Sequence, residues 1–388
     1  MSLNSLLSLR KFLAPEFIFG DGARFLIGRY AKNFGARKVL IVTDEGVQQA
    51  GWVKDVITSL KEYNIDYVIY ADVTANPRAD EVMEGARIYL EEKCDVIIAV
   101  GGGSPIDCAK GIGIATTNPR HIVEYEGIDK IDMPIPPLLC IPTTAGSAAD
   151  VSQFAIILDS QKKVKLAITS KTLVPDIALI DPKTLTTMSP YLSACTGIDA
   201  LTHAIEAFVS QANSTFSDLY ALEAIRIISS NIEKAVKNPL DLDLCANSML
   251  GSLYAGIAFS NASLGAVHAM AHSLGGLLDT PHGECNAILL EHVIEYNFEE
   301  AVNRYRLIGE AMGLTFENKT DKLIKSMLIQ EIRDLKNKVG IHKTLSGIGL
   351  DRKMIPLLAE YSLRDICMAT NPRFLTQENV EVIFENAY

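Results

Sequence analysis

The first half of the chain alternates short runs of β-branched and other apolar residues with amphipathic stretches, and this pattern constrains the fold more than any other feature. Such alternation is typical of βαβ units, which form a parallel sheet with helices on its faces. The predicted strands are Lys38–Val42, Tyr67–Tyr70, Asp95–Val100, Leu138–Ile141 and Ile177–Ile180. Polar or glycine residues follow each strand, and ligands of open α/β sheets bind at those carboxyl ends.

The strand pattern ends after about Thr187, and apolar residues then recur at helical spacing. The predicted helices are Ala194–Val209, Ser217–Ala235, Leu244–Phe259 and Glu300–Met312. A chain of 388 residues, 48% of them hydrophobic, is too long for one compact core and predicts two domains. We predict an α/β domain with a Rossmann-like parallel sheet at residues 1–186 and an all-helical domain at residues 187–388.

Charge and cysteine content restrict the partners and the compartment. The formal net charge of -11 disfavours nucleic acids and anionic membranes, so we expect a small-molecule partner. The seven cysteines form no CxxC pair and most lie among apolar residues, which predicts buried thiols in a reducing compartment. The first 11 residues lack a signal-peptide pattern, and histidines interrupt the apolar stretch 251–278, which predicts a buried helix pair in a cytoplasmic protein.

A glycine-rich turn, Gly101-Gly102-Gly103, joins a predicted strand to a predicted helix. We predict Ser104 as the N-cap of this helix, Pro105 as its first residue and Asp107 as part of a capping box. Glycines before a helix N-terminus let backbone N–H groups approach an anion, and a pyrophosphate is the natural guest. The alternative is a tight turn without a ligand, since the turn is not the usual GxGxxG fingerprint.

Asp44 directly follows the first predicted strand. An acid at this position accepts hydrogen bonds from a ribose 2′-hydroxyl and repels a 2′-phosphate, which favours NAD over NADP. The alternative is that Asp44 caps the following turn.

Histidines and one aspartate are concentrated in the helical half. Asp199 and His203 are spaced i and i+4, as are His268 and His272, and His282 follows soon after. A carboxylate in an apolar helix is costly to bury without a partner, and a divalent Fe, Zn, Co or Ni ion suits carboxylate and imidazole ligands. The alternative for each histidine is a hydrogen-bonded core residue; Cys285 is either a thiolate ligand or, more simply, a small buried hydrophobe.

With these motifs, the chain resembles the iron-containing alcohol dehydrogenase family along nearly its whole length. The matching segments are the glycine turn through Asp107, Pro142-Thr143-Thr144-Ala145-Gly146-Ser147, the helix segment Gly197 to Glu206, the histidine segment Gly265 to Gly276, Pro281-His282-Gly283 and Thr370-Asn371-Pro372-Arg373. The resemblance implies a fold similar to the dehydroquinate synthase and glycerol dehydrogenase group, with an N-terminal α/β domain and a C-terminal helical domain.

The resemblance also implies the site residues and the cofactors. The implied metal ligands are Asp199, His203, His268 and His282, with His272 as the catalytic residue near the nicotinamide. The implied cofactor-binding residues are Asp44, Asn76, Gly102, Gly103, Ser104, Thr143, Thr144, Lys165 and Leu185. The expected cofactors are NAD(H) and Fe(II), with Zn(II) as the alternative metal, and the expected assembly is a homodimer or a higher homo-oligomer. The chain departs from the family pattern where Ala148 replaces a glycine and Asp150 a glutamate.

We therefore expect a metal-dependent alcohol dehydrogenase or aldehyde reductase that transfers hydride between NAD(H) and a small primary alcohol, diol or aldehyde. In this hypothesis the metal acts as a Lewis acid and His272 relays the proton. The alternatives are a glycerol or polyol dehydrogenase, a lyase of the dehydroquinate synthase type, and a nucleotide sensor without catalysis. Few Lys or Arg residues surround the predicted ligands, which disfavours the lyase, and a sensor does not need four metal-ligating groups.

Overall fold

The structure, a computed structural model, describes residues 11–388, which divide into two compact units. The sheet unit comprises Leu13–Met188 and Leu240–Met249. The helical unit comprises residues 11–12, Ser189–Pro239 and Leu250–Tyr388. The sheet unit contains the strands, and every regular element from Ser189 onward is helical. The predicted fold class, a parallel-sheet α/β domain followed by a helical domain, is confirmed.

A six-stranded parallel sheet forms the centre of the sheet unit. Its strands are β1 (Glu16–Phe19), β2 (Lys38–Val42), β3 (Asp66–Tyr70), β4 (Val96–Gly101), β6 (Leu138–Pro142) and β9 (Ile177–Ile180), in the order β1-β9-β6-β4-β2-β3. Five of the six match predicted strands. Strand β1 was not predicted, because its four residues carry little periodicity and its pairing partner, β9, lies far along the chain.

Helices cover both faces of this sheet. They are α1 (Ile27–Asn33), α2 (Glu45–Gln49), α3 (Trp52–Glu62), α4 (Ala79–Glu91) and α5 (Gly103–Thr117). One hydrophobic core contains Leu40 and Ile97 with residues of α4 and α5, and the other contains Ile41 and Ile98 with residues of α1 and α3. Neighbouring strand residues belong to opposite cores because successive side chains point to opposite faces.

A second, three-stranded sheet of the order β5-β8-β7 was not predicted. Its strands are β5 (Gly127–Ile128), β7 (Phe154–Asp159) and β8 (Val164–Thr169), and the β7–β8 pair is antiparallel. The turn between β7 and β8 contains Lys163 in a left-handed conformation, φ +55°. Both strands are apolar runs in the sequence, but their antiparallel pairing with each other, which assigns them to a second sheet, is not visible there.

The helical unit is built from long helices. They are α6 (Pro190–Val209), α7 (Thr215–Lys237), α8 (Leu242–Ala262), which belongs to this unit from Leu250 onward, α9 (Ala266–Leu278), α10 (His282–Asn297), α11 (Val302–Ala311), α12 (Asp321–Lys338), α13 (Ile355–Arg364) and α14 (Gln377–Ala387). The apolar stretch 251–278 is divided at residues 263–265 into α8 and α9, as the predicted helix pair requires. In the described residues α8 alone has the length and composition to cross a membrane, and 56% of its most apolar window is buried within the protein, as in a core helix.

Candidate metal centre and nucleotide-binding turn

Helix α6 carries the first two predicted metal ligands. It begins after Ser189, whose hydroxyl accepts a backbone N–H of the first turn, and Pro190 occupies the position where a missing N–H costs nothing. Asp199 and His203 lie one turn apart on this helix, and each is only 3% exposed. The ring of His203 stacks on that of Phe259 from α8, with 4.4 Å between the centroids. Packing therefore holds both ligands in the core.

The other two predicted ligands come from α9 and α10. His268 lies in the first turn of α9, and His282 is the first residue of α10. Asp199 Oδ1 lies 3.8 Å from His268 Nε2 and 3.9 Å from His282 Nε2. One potential ligand atom from each of Asp199, His203, His268 and His282 lies within 4.8 Å of the other three. Three helices thus bring the four predicted ligands together.

The side chain of Asn286 shows where the lone pairs of these ligands converge. Its amide nitrogen lies 2.6 Å from Asp199 Oδ1, 3.1 Å from His268 Nε2 and 3.2 Å from His282 Nε2. Three acceptor atoms within reach of one nitrogen are aimed at a common point. One carboxylate and three imidazoles around such a point fit a divalent transition metal ion. Sequence reasoning missed Asn286, although its i+4 spacing from His282 places it on the same helix face.

Glu206, also on α6, orients His268. Its Oε2 lies 2.6 Å from His268 Nδ1, and the same carboxylate accepts backbone N–H bonds from Val267 and Gly265 at the start of α9. Burial raises the pKa of Glu206 to about 7, against the opposing effect of the N–H groups. Burial also lowers the pKa of His268 well below its usual value, so its imidazole is neutral at pH 7, the form that binds metals. Glu206 lies at the end of the family segment Gly197 to Glu206, but the sequence predicted no role for it.

His272 lies one turn after His268 on α9 and has a carboxylate partner of its own. Its Nδ1 lies 2.8 Å from Asp365 Oδ2, and its ring stacks on that of His282 with 5.2 Å between centroids. Burial acts to raise the pKa of Asp365, but the interaction with His272 and the N–H of Cys367 outweigh it, and the net pKa is lowered. Asp365 was not predicted from the sequence, because it is 93 positions from His272.

Cys285 does not belong to the metal-ligand cluster. Among the described residues, the cluster comprises the one aspartate and three histidines. The Cys285 thiol is fully buried and donates to the carbonyl oxygen of Thr280 at 3.9 Å. All seven cysteines are buried and none forms a disulfide in the described part of the chain. The simpler interpretation of Cys285, a small buried residue, therefore agrees with its surroundings.

The glycine turn joins β4 to α5 differently from the prediction. Gly102 is the N-cap and the helix begins at Gly103, so the predicted Ser104 N-cap and capping box are wrong. The Ser104 hydroxyl donates instead to the carbonyl of Ala75 at 2.5 Å, and the Asp107 carboxylate accepts the N–H of Ile156 at 3.2 Å. These long-range partners outcompete the local cap. A glycine N-cap brings no side-chain oxygen to the first turn, which leaves its N–H groups available to an anion.

Several predicted nucleotide-binding residues surround this turn at the carboxyl edge of the large sheet. The N–H of Thr143 donates to the carbonyl of Gly101 at 2.9 Å. A Cβ atom on Gly102 would lie 2.9 Å from Thr144 Cγ2, so glycine is required for this approach. The Ser104 hydroxyl donates to the carbonyl of Ala75, the residue before Asn76, and Asn76 is buried. The structure therefore brings together Asn76, Gly102, Gly103, Ser104, Thr143 and Thr144.

The remaining three predicted residues also belong to the sheet unit, and two of them follow the carboxyl ends of strands of the large sheet. Asp44 follows β2, and its carboxylate accepts the N–H of Val47 at 2.8 Å, so it caps α2 as the alternative interpretation proposed. Lys165 lies on β8 in the small sheet, which is not the sheet of the glycine turn. Leu185 lies in the turn Pro182–Thr187 that follows β9, a strand of the large sheet.

The loop after Thr144 contains both departures from the family pattern. Ala148 replaces the glycine and has a left-handed backbone, φ +48°, a conformation that costs an L-residue roughly 1–2 kcal/mol. Asp150 replaces the glutamate; it is buried, which raises its pKa to about 6. The loop is anchored by the fully buried Lys110, which donates to the carbonyls of Ser152 and Phe154 at 2.8 and 2.7 Å. The anchor holds the loop in a conformation that alanine adopts less readily than glycine.

Replacing Gly103 with alanine is expected to weaken nucleotide binding. A Cβ at this position would lie 2.9 Å from both Cβ and Oγ of Ser147, so the loop must shift from the turn. We expect the Kd for NADH to rise roughly tenfold, since overpacking of this kind costs about 1–3 kcal/mol. Fluorescence titration with NADH measures it. Gly347→Ala is the matched control, because a Cβ there meets its nearest atom at 3.7 Å; equal Kd values for both variants would contradict the prediction.

Comparison with known proteins agrees with this arrangement. Residues 14–182 match the family described as iron-containing alcohol dehydrogenase, and residues 193–388 match its C-terminal domain, Fe-containing alcohol dehydrogenase family, C-terminal. The chain is 38% identical to the 1,3-propanediol dehydrogenase of Citrobacter freundii over 380 residues, which cover 97% of this chain and 98% of that protein. It is 32% identical to the NAD-dependent methanol dehydrogenase of Bacillus methanolicus, with 97% and 99% covered.

A solved structure of 1,3-propanediol oxidoreductase superposes with a TM-score of 0.95 at 37% identity and covers 98% of this chain and 100% of that one. The matches span both units of the chain and include every segment on which the resemblance was based. The expected resemblance is therefore confirmed, and the protein is an oxidoreductase that acts on alcohols or aldehydes. The chain belongs to the iron-containing alcohol dehydrogenase family.

Proposed function

We propose that this protein is an NAD(H)- and Fe(II)-dependent dehydrogenase of small primary alcohols and diols, which reduces the corresponding aldehydes in the reverse direction. The observation that carries the proposal is the convergence of Asp199, His203, His268 and His282 on one point in a buried site. The relatives named for 1,3-propanediol and methanol support a substrate with a short carbon chain and a primary hydroxyl.

The four converging side chains would hold the metal. When bound, the metal supplies a Lewis acid that lowers the pKa of an alcohol hydroxyl and polarises an aldehyde carbonyl. Asp199 provides the negative charge of the ligand set, and the hydrogen bond to Glu206 leaves the Nε2 lone pair of His268 directed away from that carboxylate. Asp199, His203 and His268 are buried, which limits the access of water to them and strengthens their electrostatic interactions.

His272 is proposed to accept and return the proton that the alcohol loses and the aldehyde gains. Its Nδ1 faces Asp365, so Nε2 is the atom at which the proton is exchanged. Histidine suits this task because its ordinary pKa lies near neutral pH. The carboxylate of Asp365 keeps the ring in one orientation during the exchange.

The sheet unit is proposed to bind the nicotinamide cofactor, which supplies the hydride acceptor or donor. The glycine turn and the residues around it would bind the pyrophosphate, since backbone N–H groups at a glycine N-cap favour an anion. The proposed nucleotide-binding residues are Asp44, Asn76, Gly102, Gly103, Ser104, Thr143, Thr144, Lys165 and Leu185. Asp44 is proposed to disfavour the 2′-phosphate of NADP, even though one of its oxygens caps α2.

The test is metal removal and restoration. The protein is stripped with a chelator, and Fe(II) or Zn(II) is restored without oxygen. Oxidation of NADH or NADPH is followed with propanal, 3-hydroxypropanal and glyceraldehyde, and reduction of NAD⁺ or NADP⁺ is followed with the matching alcohols. We expect no turnover without metal, activity on restoration with Fe(II), and faster rates with NAD(H) than with NADP(H) and with substrates that carry no hydroxyl at C2. Preference for glyceraldehyde and glycerol would indicate a polyol dehydrogenase instead. Equal turnover in stripped and restored protein would refute the metal-dependent mechanism.

We also propose that the protein is a cytoplasmic homodimer. Its seven cysteines are buried and form no disulfide in the described residues, which suits a reducing compartment. Large apolar side chains such as Phe216, Leu219 and Phe374 are exposed on the single chain, and self-association would remove such surface from water. Light scattering of the purified protein gives the assembly mass.

A further inference from the structure

The two histidines of α9 share one arrangement. His268 and His272 lie one turn apart, and the Nδ1 atom of each lies close to a buried carboxylate: 2.6 Å from Glu206 Oε2 and 2.8 Å from Asp365 Oδ2. The two carboxylates come from unrelated parts of the chain, α6 and the residue that follows α13. A ring nitrogen of histidine either donates or accepts, and its partner decides which.

Glu206 is surrounded by donors. Its Oε1 accepts the N–H of Val267 at 2.7 Å, and its Oε2 accepts the N–H of Gly265 at 3.1 Å. The backbone N–H of His268 also points to Oε2, at 3.4 Å, so backbone donors face both oxygens and each oxygen acts as an acceptor. The proton of the neutral His268 ring is therefore on Nδ1, and the lone pair is on Nε2, which faces Asp199 Oδ1 at 3.8 Å.

Asp365 has the same acceptor role toward His272. Its Oδ1 accepts the N–H of Cys367 at 2.8 Å, while its Oδ2 faces His272 Nδ1. The side chain is only 8% exposed, and its lowered pKa keeps it ionised at neutral pH. An ionised carboxylate accepts hydrogen bonds only, so His272 carries a proton on Nδ1 and exchanges protons at Nε2.

We propose that Glu206 and Asp365 are positioning residues that select the Nδ1–H form of the two histidines, Glu206 for metal affinity and Asp365 for proton exchange. The proposal rests on the metal ligands and the role of His272 given in the proposed function. It adds that one chemical property, the presence of two acceptor oxygens on each carboxylate, serves two different purposes one helical turn apart. A carboxamide of the same size lacks that property.

Glu206→Gln is expected to weaken metal binding. Whichever way the new amide is oriented, its NH₂ group meets a donor, either the N–H of Val267 or His268 Nδ1. The conflict between the NH₂ group and the N–H at His268 Nδ1 is relieved when the proton moves from Nδ1 to Nε2. Nε2 then has no lone pair to offer the metal. Loss of a carboxylate partner behind a ligand histidine typically lowers metal affinity about 10–100-fold.

Asp365→Asn is the matched variant, because it makes the same chemical change at the neighbouring histidine. We expect its metal affinity to stay within about threefold of the wild type, since His272 is not a ligand, and its kcat to fall roughly tenfold or more with little change in KM. Metal affinity is measured by competition of the stripped proteins with a chromophoric chelator for Co(II) and Zn(II). The imidazole ¹⁵N shifts of histidine-labelled protein report which ring nitrogen carries the proton.

Asn371→Ala distinguishes an effect on the His268 tautomer from an effect on the capping of α9. The Asn371 side chain accepts the N–H of Ala266 at the start of α9, at 3.1 Å. The proposal is supported if Glu206→Gln loses at least tenfold in metal affinity and shifts the His268 proton, while Asn371→Ala does neither. It is overturned if Glu206→Gln binds metal as the wild type does, or if Asn371→Ala loses as much. Failure of the wild type to bind metal would instead refute the proposed function.

Discussion

Exchange of Asp199 for asparagine is expected to lower kcat at least roughly 10³-fold and to lower the metal content of the purified protein. Asp199 supplies the negative charge of the ligand set, and the amide of asparagine is a far weaker ligand. A metal contributes several kcal/mol to the transition state, and about 4 kcal/mol corresponds to about 10³-fold in rate. Steady-state kinetics and elemental analysis of the same preparation measure both effects.

NADH binding is the control for the Asp199 variant. The proposed nucleotide-binding residues belong to the sheet unit and Asp199 to the helical unit, so the Kd for NADH should remain that of the wild type. We expect the helices to remain folded, because the amide is of the same size as the carboxylate it replaces. Circular dichroism checks this. Full metal content together with wild-type turnover would show that Asp199 is not a ligand.

Replacement of His272 by alanine is expected to lower kcat roughly 10²–10⁴-fold while the metal content stays at the wild-type level. His272 is not among the four ligands, but it is the nearest histidine to them, stacked on His282. Removal of the ring takes away the proposed proton acceptor and leaves the ligand set intact. In the His272 variant kcat therefore falls while the metal content stays unchanged, whereas in the Asp199 variant both kcat and the metal content fall.

Imidazole added to the His272 variant provides a second test of the proton relay. A free base that enters the cavity left by the missing ring should restore part of the rate, and the recovery should grow with imidazole concentration. His342→Ala is the comparison, since that histidine is exposed and pairs with Asn337 far from the ligands in sequence. An unchanged rate in the His272 variant would exclude the relay role.

Asp199 and His203 were candidate metal ligands from the sequence because their pattern is local, and the family resemblance implied the full set of four. A carboxylate one turn from a histidine in an apolar helix is too costly to bury without a cation, and this physical cost made Asp199 and His203 conspicuous. The glycine turn was equally local, since three glycines between a buried strand and a helix leave few other interpretations. Five strands of the large sheet followed from hydrophobic runs bounded by polar residues.

The sequence did not reveal the carboxylates that lie beside His268 and His272. Glu206 is 62 positions from His268, and Asp365 is 93 positions from His272. Nothing near either histidine in the chain indicates its partner. The same limit applies to the start of α5, where Ser104 bonds to Ala75 instead of capping its own helix. Long-range hydrogen bonds decided each of these contacts against a plausible local alternative.

The sequence by itself determined the fold class and the residue types of the candidate metal centre, because hydrophobic periodicity, helical spacing and the cost of burying charge act within a few residues. The reaction class followed from the resemblance of its motifs to the iron-containing alcohol dehydrogenase family. The tertiary structure alone decided which atoms of those residues meet, which nitrogen of each histidine is available, and how β1 and the β7–β8 hairpin complete the sheets. Those properties depend on partners brought from distant parts of the chain, and such pairings exist only once the helices and strands have packed.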